Sequence, residues 1–361
     1  MKISLIVVIF SFVLSCSSTQ KKSDSQSETT ERSTSIAPTD NQVKEPSKIK
    51  LLNDSGKVYA ESILQEDLKE VLYTLASDAY EGRFTGEPGQ KKAAQFITDY
   101  YKTLGISAAN SDGNYLQEIP QAYFKGNAKF SSENVVAYIK GTEKPDEYVV
   151  ISAHYDHVGV KGGKVYNGAD DDASGTTAVL EIAKAFQKAV KAGNGPKRSV
   201  VFLHVTGEEI GLYGSKYYTE NPIFPLENTI VDLNIDMIGR VDEKHQETPE
   251  FIYLIGADKL STELHEISEA VNKKYTQLQL DYTYNDDKDP NRFYYRSDHY
   301  NFAKNNIPVI FYFNGVHEDY HKDTDTPDKI RYDLLQKRAQ LAFYTAWEIA
   351  NRDQKLEVDK E

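Results

Sequence analysis

Tyr148-Val149-Val150-Ile151-Ser152-Ala153-His154-Tyr155-Asp156-His157 passes from an apolar, β-branched run into a cluster of metal- and proton-binding side chains. Such a run, without polar alternation, predicts a strand buried on both faces. The pattern recurs downstream. Residues 199–205 (SVVFLHV) lead into Thr206-Gly207-Glu208-Glu209, residues 228–235 lead into Asp236, and residues 308–313 form a fourth apolar run. Residues 134–139 predict one more strand. Helical spacing of apolar residues predicts helices over 58–76, 90–104 (closed by Gly105), 174–192, 214–220, 260–275 and 332–351. Strands alternating with helices predict an α/β fold: a single domain with a largely parallel mixed central sheet and helices on both faces.

In open sheets of this kind ligands bind outside the carboxyl ends of the strands. Here three strands bring His, Glu and Asp to that edge. Between them lies Gly168-Ala169-Asp170-Asp171-Asp172-Ala173-Ser174-Gly175. Three adjacent aspartates repel one another unless a cation or a helix N-terminus is near, and a helix is predicted from about 174. A run from His317 to Thr326 (HEDYHKDTDT) adds His321.

Composition narrows the classes. The chain has 361 residues, 27% charged and 39% hydrophobic, with a net charge of −13. An acidic surface without a Lys/Arg-rich run argues against nucleic acid as a main partner. Cys16 is the only cysteine, so intrachain disulfides and multi-cysteine zinc sites are excluded. Any metal is left to His, Asp and Glu. No Gly-x-Ser-x-Gly elbow supports a serine hydrolase.

The N-terminus reads as an export signal. Lys2 precedes the apolar run 5–14, which is too short to span a bilayer at about 20 residues. Val13-Leu14-Ser15-Cys16 resembles a bacterial lipobox, which implies cleavage before Cys16 and a lipid on its thiol. The expected organisation is a lipoprotein signal peptide over 1–15, a polar tether over 16–48 that cannot bury enough surface to order itself, and a folded domain over 49–361. The chain is expected to be exported and lipid-anchored in the cell envelope. Oligomeric state and the membrane concerned stay open.

HYDHVG at 154–159, GADDDASG at 168–175, EE at 208–209, NIDMIGR at 234–240, RSDH at 296–299 and HKDTDT at 321–326 occur in one order. In that order the chain resembles the bacterial leucyl aminopeptidase family of two-zinc exopeptidases, whose relatives include glutamate carboxypeptidases and glutaminyl cyclases. The resemblance covers roughly 66–350 and implies the zinc-dependent exopeptidase, phosphorylase/hydrolase-like fold and peptide substrates. It implies that Asp171 bridges two zinc ions, that His154 and Asp236 complete one site, and that Glu209 and His321 complete the other. Cobalt or manganese can fill such sites. Glu208 is implied as general base. Asp156 is implied to accept a hydrogen bond from His154, and a cis peptide is implied at Asp171–Asp172. Met237, Tyr294, Tyr295 and Arg296 fall in segments that resemble the family's substrate pocket; Arg296 is read either as a carboxylate-binding group or as part of a structural salt bridge. Ser297, Asp298 and His299 lie near the site without being ligands. His157 and His317 are read as structural neighbours. The implied activity is aminopeptidase, with carboxypeptidase, cyclase and a non-catalytic surface ectodomain as alternatives.

Overall fold

The computed structural model describes residues 49–360. The signal peptide, the tether and Cys16 lie outside the described residues. The strands are β1 (Ser107–Ala108), β2 (Leu116–Ile119), β3 (Ser132–Ile139), β4 (Lys144–His154), β5 (Gly159–Lys161), β6 (Lys164–Tyr166), β7 (Arg198–Val205), β8 (Thr229–Ile235), β9 (Phe251–Ile255), β10 (Gln279–Asp281) and β11 (Val309–Phe313). The α-helices are α1 (Lys57–Ala60), α2 (Gln65–Leu75), α3 (Pro88–Leu104), α4 (Ala173–Lys191), α5 (Tyr213–Glu220), α6 (Thr262–Val271), α7 (His299–Ala303) and α8 (Tyr332–Asn351).

Nine strands form one sheet in the order β1-β3-β7-β4-β8-β11-β9-β10, with β2 also on β3. The centre, β7-β4-β8-β11, is parallel, and antiparallel pairs β3–β7 and β11–β9 flank it. The expected largely parallel mixed sheet is therefore present. Successive residues of a strand face opposite ways. On β4, Val149, Ile151 and Ala153 join the core under α2, α4 and α8, whereas Tyr148 and Val150 pack on the side of α5 and α7. Burial of Val149, Val150 and Ile151 contributes about 1.5–3 kcal/mol each. No helix among the described residues is long and apolar enough to cross a membrane.

Two expectations are corrected. The helix expected over 58–76 is broken between α1 and α2. Tertiary bonds compensate at the break: Gln340 of α8 donates to the carbonyl of Ala60 and Gln336 to that of Ile63. The helix expected over 260–275 ends at Val271 and continues only as a π turn, Asn272–Thr276. Strand β9 was not foreseen.

The loops that matter leave the carboxyl edge of the parallel strands. α4 starts close beneath them because residue 175 is glycine: a Cβ there would stand 2.3 Å from the carbonyl oxygen of Ile235.

Candidate metal centre

The three aspartates of the 170–172 run face different ways. Asp172 caps α4, its Oδ1 accepting from the N–H groups of Gly175 (2.8 Å) and Met237 (3.0 Å). Asp170 accepts from Gly239 N–H (2.6 Å) and Asn314 Nδ2 (3.0 Å), with His317 Nε2 at 3.2 Å. Asp171 enters the site with both oxygens, and one carboxylate oxygen of Asp172 also lies within 4.8 Å of ligand atoms of His154 and Asp236. The peptide joining it to Asp172 is cis, as the resemblance implied. Asp325 accepts the main-chain N–H groups of Asp170 (3.0 Å) and Asp171 (3.3 Å), which pins this loop to the 317–326 segment.

Asp171 directs its two oxygens to two histidines. Oδ1 is 3.2 Å from His154 Nε2, and that nitrogen is 3.5 Å from Asp236 Oδ1. Oδ2 is 3.0 Å from His321 Nε2, which is also 3.0 Å from Glu209 Oε2. Ligands about 2.0–2.1 Å from a tetrahedral zinc sit about 3.3 Å from one another, so these separations fit two such shells sharing one carboxylate. His154 Nε2, Asp171 Oδ2 and Glu209 Oε1 are buried without a hydrogen-bond partner. The donor set therefore fits zinc. His154, Asp171, Asp236, Glu209 and His321 are brought together as the sequence placed them.

The electrostatics show how strongly this ground calls for positive charge. Burial works against a charged His321, yet Asp171 and Glu209 lift its pKa to about 10. His154 is likewise raised well above the usual histidine range, with Asp236 and Asp171 overcoming its burial. Burial acts to raise Asp171, but His154 and His321 hold it well below the ordinary carboxylate range. Without metal, protons on the histidines supply the charge that a cation would bring.

Supporting groups fix these side chains. Asp236 Oδ2 accepts from Ser297 Oγ (2.6 Å), which itself accepts from Asn234 Nδ2 (2.8 Å). His154 Nδ1 meets the main-chain carbonyl of Asp156 at 3.1 Å, while the Asp156 carboxylate is 3.8 Å away. The tautomer-fixing bond thus goes to the backbone of Asp156, because its carboxylate is turned to Thr85 Oγ1 (2.7 Å) and Glu208 N–H (3.2 Å). Glu208 lies at the cleft floor. Burial pushes its pKa well up, and Asp236 and Glu209 add to this against His154.

The cleft above is lined by Asp171, Glu208 and Asp236 at its base and by Met237, Phe293, Arg296, Phe311, Phe313, Val316 and Tyr320. Met237 and Arg296 are therefore where the sequence put them. Tyr294 and Tyr295 are not: they line a separate hollow with Lys259 and Arg292. The reason is the 3-10 turn Phe293–Tyr295. With three residues per turn, Arg296 returns above Phe293 and the two tyrosines fan away. The Arg296 guanidinium sits 4.9 Å from the Phe293 ring centre and has no salt-bridge partner among the described residues. Phe311 and Phe313 escaped the sequence reading, although period-two alternation on β11 puts them opposite the core-facing Tyr312.

Known proteins resemble this chain in sequence and in fold. A probable zinc metalloprotease of Pyricularia oryzae is 27% identical over 292 residues, 68% of this chain and 56% of that protein. The aminopeptidase NAALADL1 of Rattus norvegicus is 36% identical over 109 residues, 30% of this chain and 14% of that protein. The chain thus spans about half or less of these relatives. Among solved structures, LapB of Legionella pneumophila matches with a TM-score of 0.67 at 22% identity, covering 85% of this chain and 78% of that one. A zinc aminopeptidase of Bacillus subtilis matches at 0.60 and 16% identity, covering 82% and 98%. These two structures share the fold. The model of peptidase family M28 matches residues 134–346, more than half of the sequence, and the chain belongs to that family.

Proposed function

We propose that this protein is a zinc-dependent exopeptidase, an aminopeptidase that uses two metal ions. The observation that carries the reading is Asp171, whose two oxygens face two separate histidine–carboxylate pairs. His154 and Asp236 would hold one ion and Glu209 and His321 the other, with Asp171 common to both. When bound, the ions supply Lewis acidity that polarises the scissile carbonyl and makes water more acidic.

The chain's own residues do the rest. Glu208, held at its main chain by Asp156, takes a proton from the attacking water. Oxygen adds to the carbonyl carbon, Glu208 passes the proton to the amide nitrogen, and the C–N bond breaks. The products are a free amino acid and a shortened peptide. Met237, Phe293, Phe311, Phe313, Val316 and Tyr320 favour an apolar first side chain. Arg296, at the same cleft and without a salt-bridge partner among the described residues, favours a carboxylate elsewhere on the peptide. Solved structures that resemble this chain include aminopeptidases of Legionella pneumophila, Aneurinibacillus and Bacillus subtilis, which supports the aminopeptidase reading.

The test is a panel of aminoacyl-p-nitroanilides, N-blocked peptides and glutaminyl substrates, with and without chelator. Chelator-sensitive release from free N-termini alone is expected. Release only from blocked peptides, or cyclisation of glutaminyl substrates, would overturn it.

We further propose that the chain is exported and held to a membrane by a lipid on Cys16, a reading supported by the apolar run 5–14 and the lipobox-like 13–16. Mass spectrometry of the mature N-terminus tests it; an unmodified end downstream of Cys16 would refute it.

A further inference from the structure

One more side chain faces the same ground as the five residues of the resemblance. His157 is fully buried. Its Nδ1 lies 2.6 Å from Glu209 Oε1 and 3.8 Å from Asp171 Oδ2. At 2.6 Å the pair is within ion-pair distance, and Nδ1, Glu209 Oε1 and Asp171 Oδ2 are all buried without an aligned hydrogen-bond partner. One ligand atom from each of these three residues falls within 4.8 Å of the others. His154 presents the same pattern: it is buried, close to carboxylates, and its Nε2 is not aligned with either. Nitrogen and carboxylate oxygens that converge in a buried site without an aligned hydrogen bond are placed as ligands of a shared cation would be.

The ring is also built into place. Its main-chain N–H donates to the carbonyl of Arg83 at 3.2 Å. The absence of a side chain at Gly168 admits it, since a Cβ there would stand 2.4 Å from the imidazole. His321, by contrast, is 41% exposed at its side chain.

We propose that His157 is a protein ligand, through Nδ1, of the ion held by Asp171 and Glu209, a residue beyond the five that the family resemblance supplies. This inference rests on the two-metal reading. It gives the Glu209 site three buried ligands, His157, Asp171 and Glu209, with His321 as a fourth at the open side.

The experiment is a chelator-competition titration of the full chain with zinc and with cobalt, read by metal content, by cobalt absorption and by cobalt-shifted proton resonances. Wild type, His157→Asn and His321→Ala are compared. Asparagine keeps an N–H for Glu209 but offers no imidazole nitrogen. The expected result is two ions in the wild type and second-ion affinity in His157→Asn reduced more than 100-fold, beyond the range of about 10–100-fold typical for groups that only support a ligand. His321→Ala is expected to keep the second ion with a smaller loss. Wild type is expected to show three solvent-exchangeable histidine N–H signals shifted by cobalt, a readout that needs no variant to fold. Two ions with wild-type affinity and spectrum in His157→Asn, or only two shifted N–H signals in the wild type, would overturn the ligand assignment and leave the two-metal reading standing. A wild type that holds a single ion would overturn both.

Discussion

Asp156 and Glu208 are joined by a hydrogen bond: Oδ1 of Asp156 accepts the main-chain N–H of Glu208 at 3.2 Å. The carbonyl of the same Asp156 faces His154 Nδ1 at 3.1 Å. One residue therefore sets both a metal ligand and the proposed base. Removing the carboxylate in Asp156→Ala frees the Glu208 loop and leaves Thr85 unpaired. Asp156→Asn keeps an acceptor for Glu208 and turns an NH2 group to the Thr85 hydroxyl, which can accept where it donated before. Activity is expected to fall about 10–100-fold or more in Asp156→Ala and less in Asp156→Asn, as steady-state kinetics at saturating metal would measure. Equal losses would show that charge, not positioning, is what matters.

Arg83 is buried and donates to the carbonyls of Leu75, Tyr155, Asn167 and Gly168, at 2.7 to 2.9 Å. Alanine at 83 would leave four buried acceptors without their donor. The expected cost is about 3–5 kcal/mol in metal-free protein, with lysine intermediate, measured by urea unfolding. A change within about 0.5 kcal/mol, typical of surface substitutions, would contradict this role.

Metal affinity should rise with pH. His321 titrates at about 10 without metal, and His154 is raised well above its usual range. Both must shed protons to bind a cation, so at neutral pH protons compete with the ion. The same sign governs the metal-free fold: the stability His321 gains from its carboxylates is full below about 6.5 and is lost as pH rises through about 10. Calorimetry in buffers of different ionisation enthalpy should record proton release on zinc binding that shrinks toward high pH. Binding without proton release at pH 7 would contradict the charge assignment.

Arg296→Ala should reduce the preference for substrates carrying a carboxylate near the scissile bond, by about 3–10-fold given an exposed charged hydrogen bond. Apolar p-nitroanilides should be little changed. An unaltered ratio of kcat/KM between acidic and neutral peptides would remove Arg296 from recognition.

The parts legible in the sequence are those where burial and chemistry change abruptly. His154, Glu208, Glu209 and Asp236 each follow a buried strand, so their place at the sheet's edge could be read from the end of an apolar run. Asp171 could be singled out among three aspartates only by resemblance; in space Asp170 accepts from Gly239 and Asn314, and Asp172 spends Oδ1 on the N–H groups of Gly175 and Met237 while staying near His154 and Asp236. Tyr294 and Tyr295 were misplaced because sequence proximity to Arg296 does not reveal a 3-10 turn. β9 is absent from the sequence reading although Phe251–Ile255 is an apolar run as long as the foreseen β11. The break before α2 depends on Gln336 and Gln340, far away in the chain.

The most direct test of the central claim is Glu208→Gln with its metal content measured. Glutamine keeps shape and main-chain contacts but cannot accept the proton. The variant is expected to hold the same two ions as the wild type, with kcat on a free N-terminal substrate lower by about 100-fold or more. A variant with full metal content and activity within about tenfold of wild type, too small a loss for a general base, would contradict it.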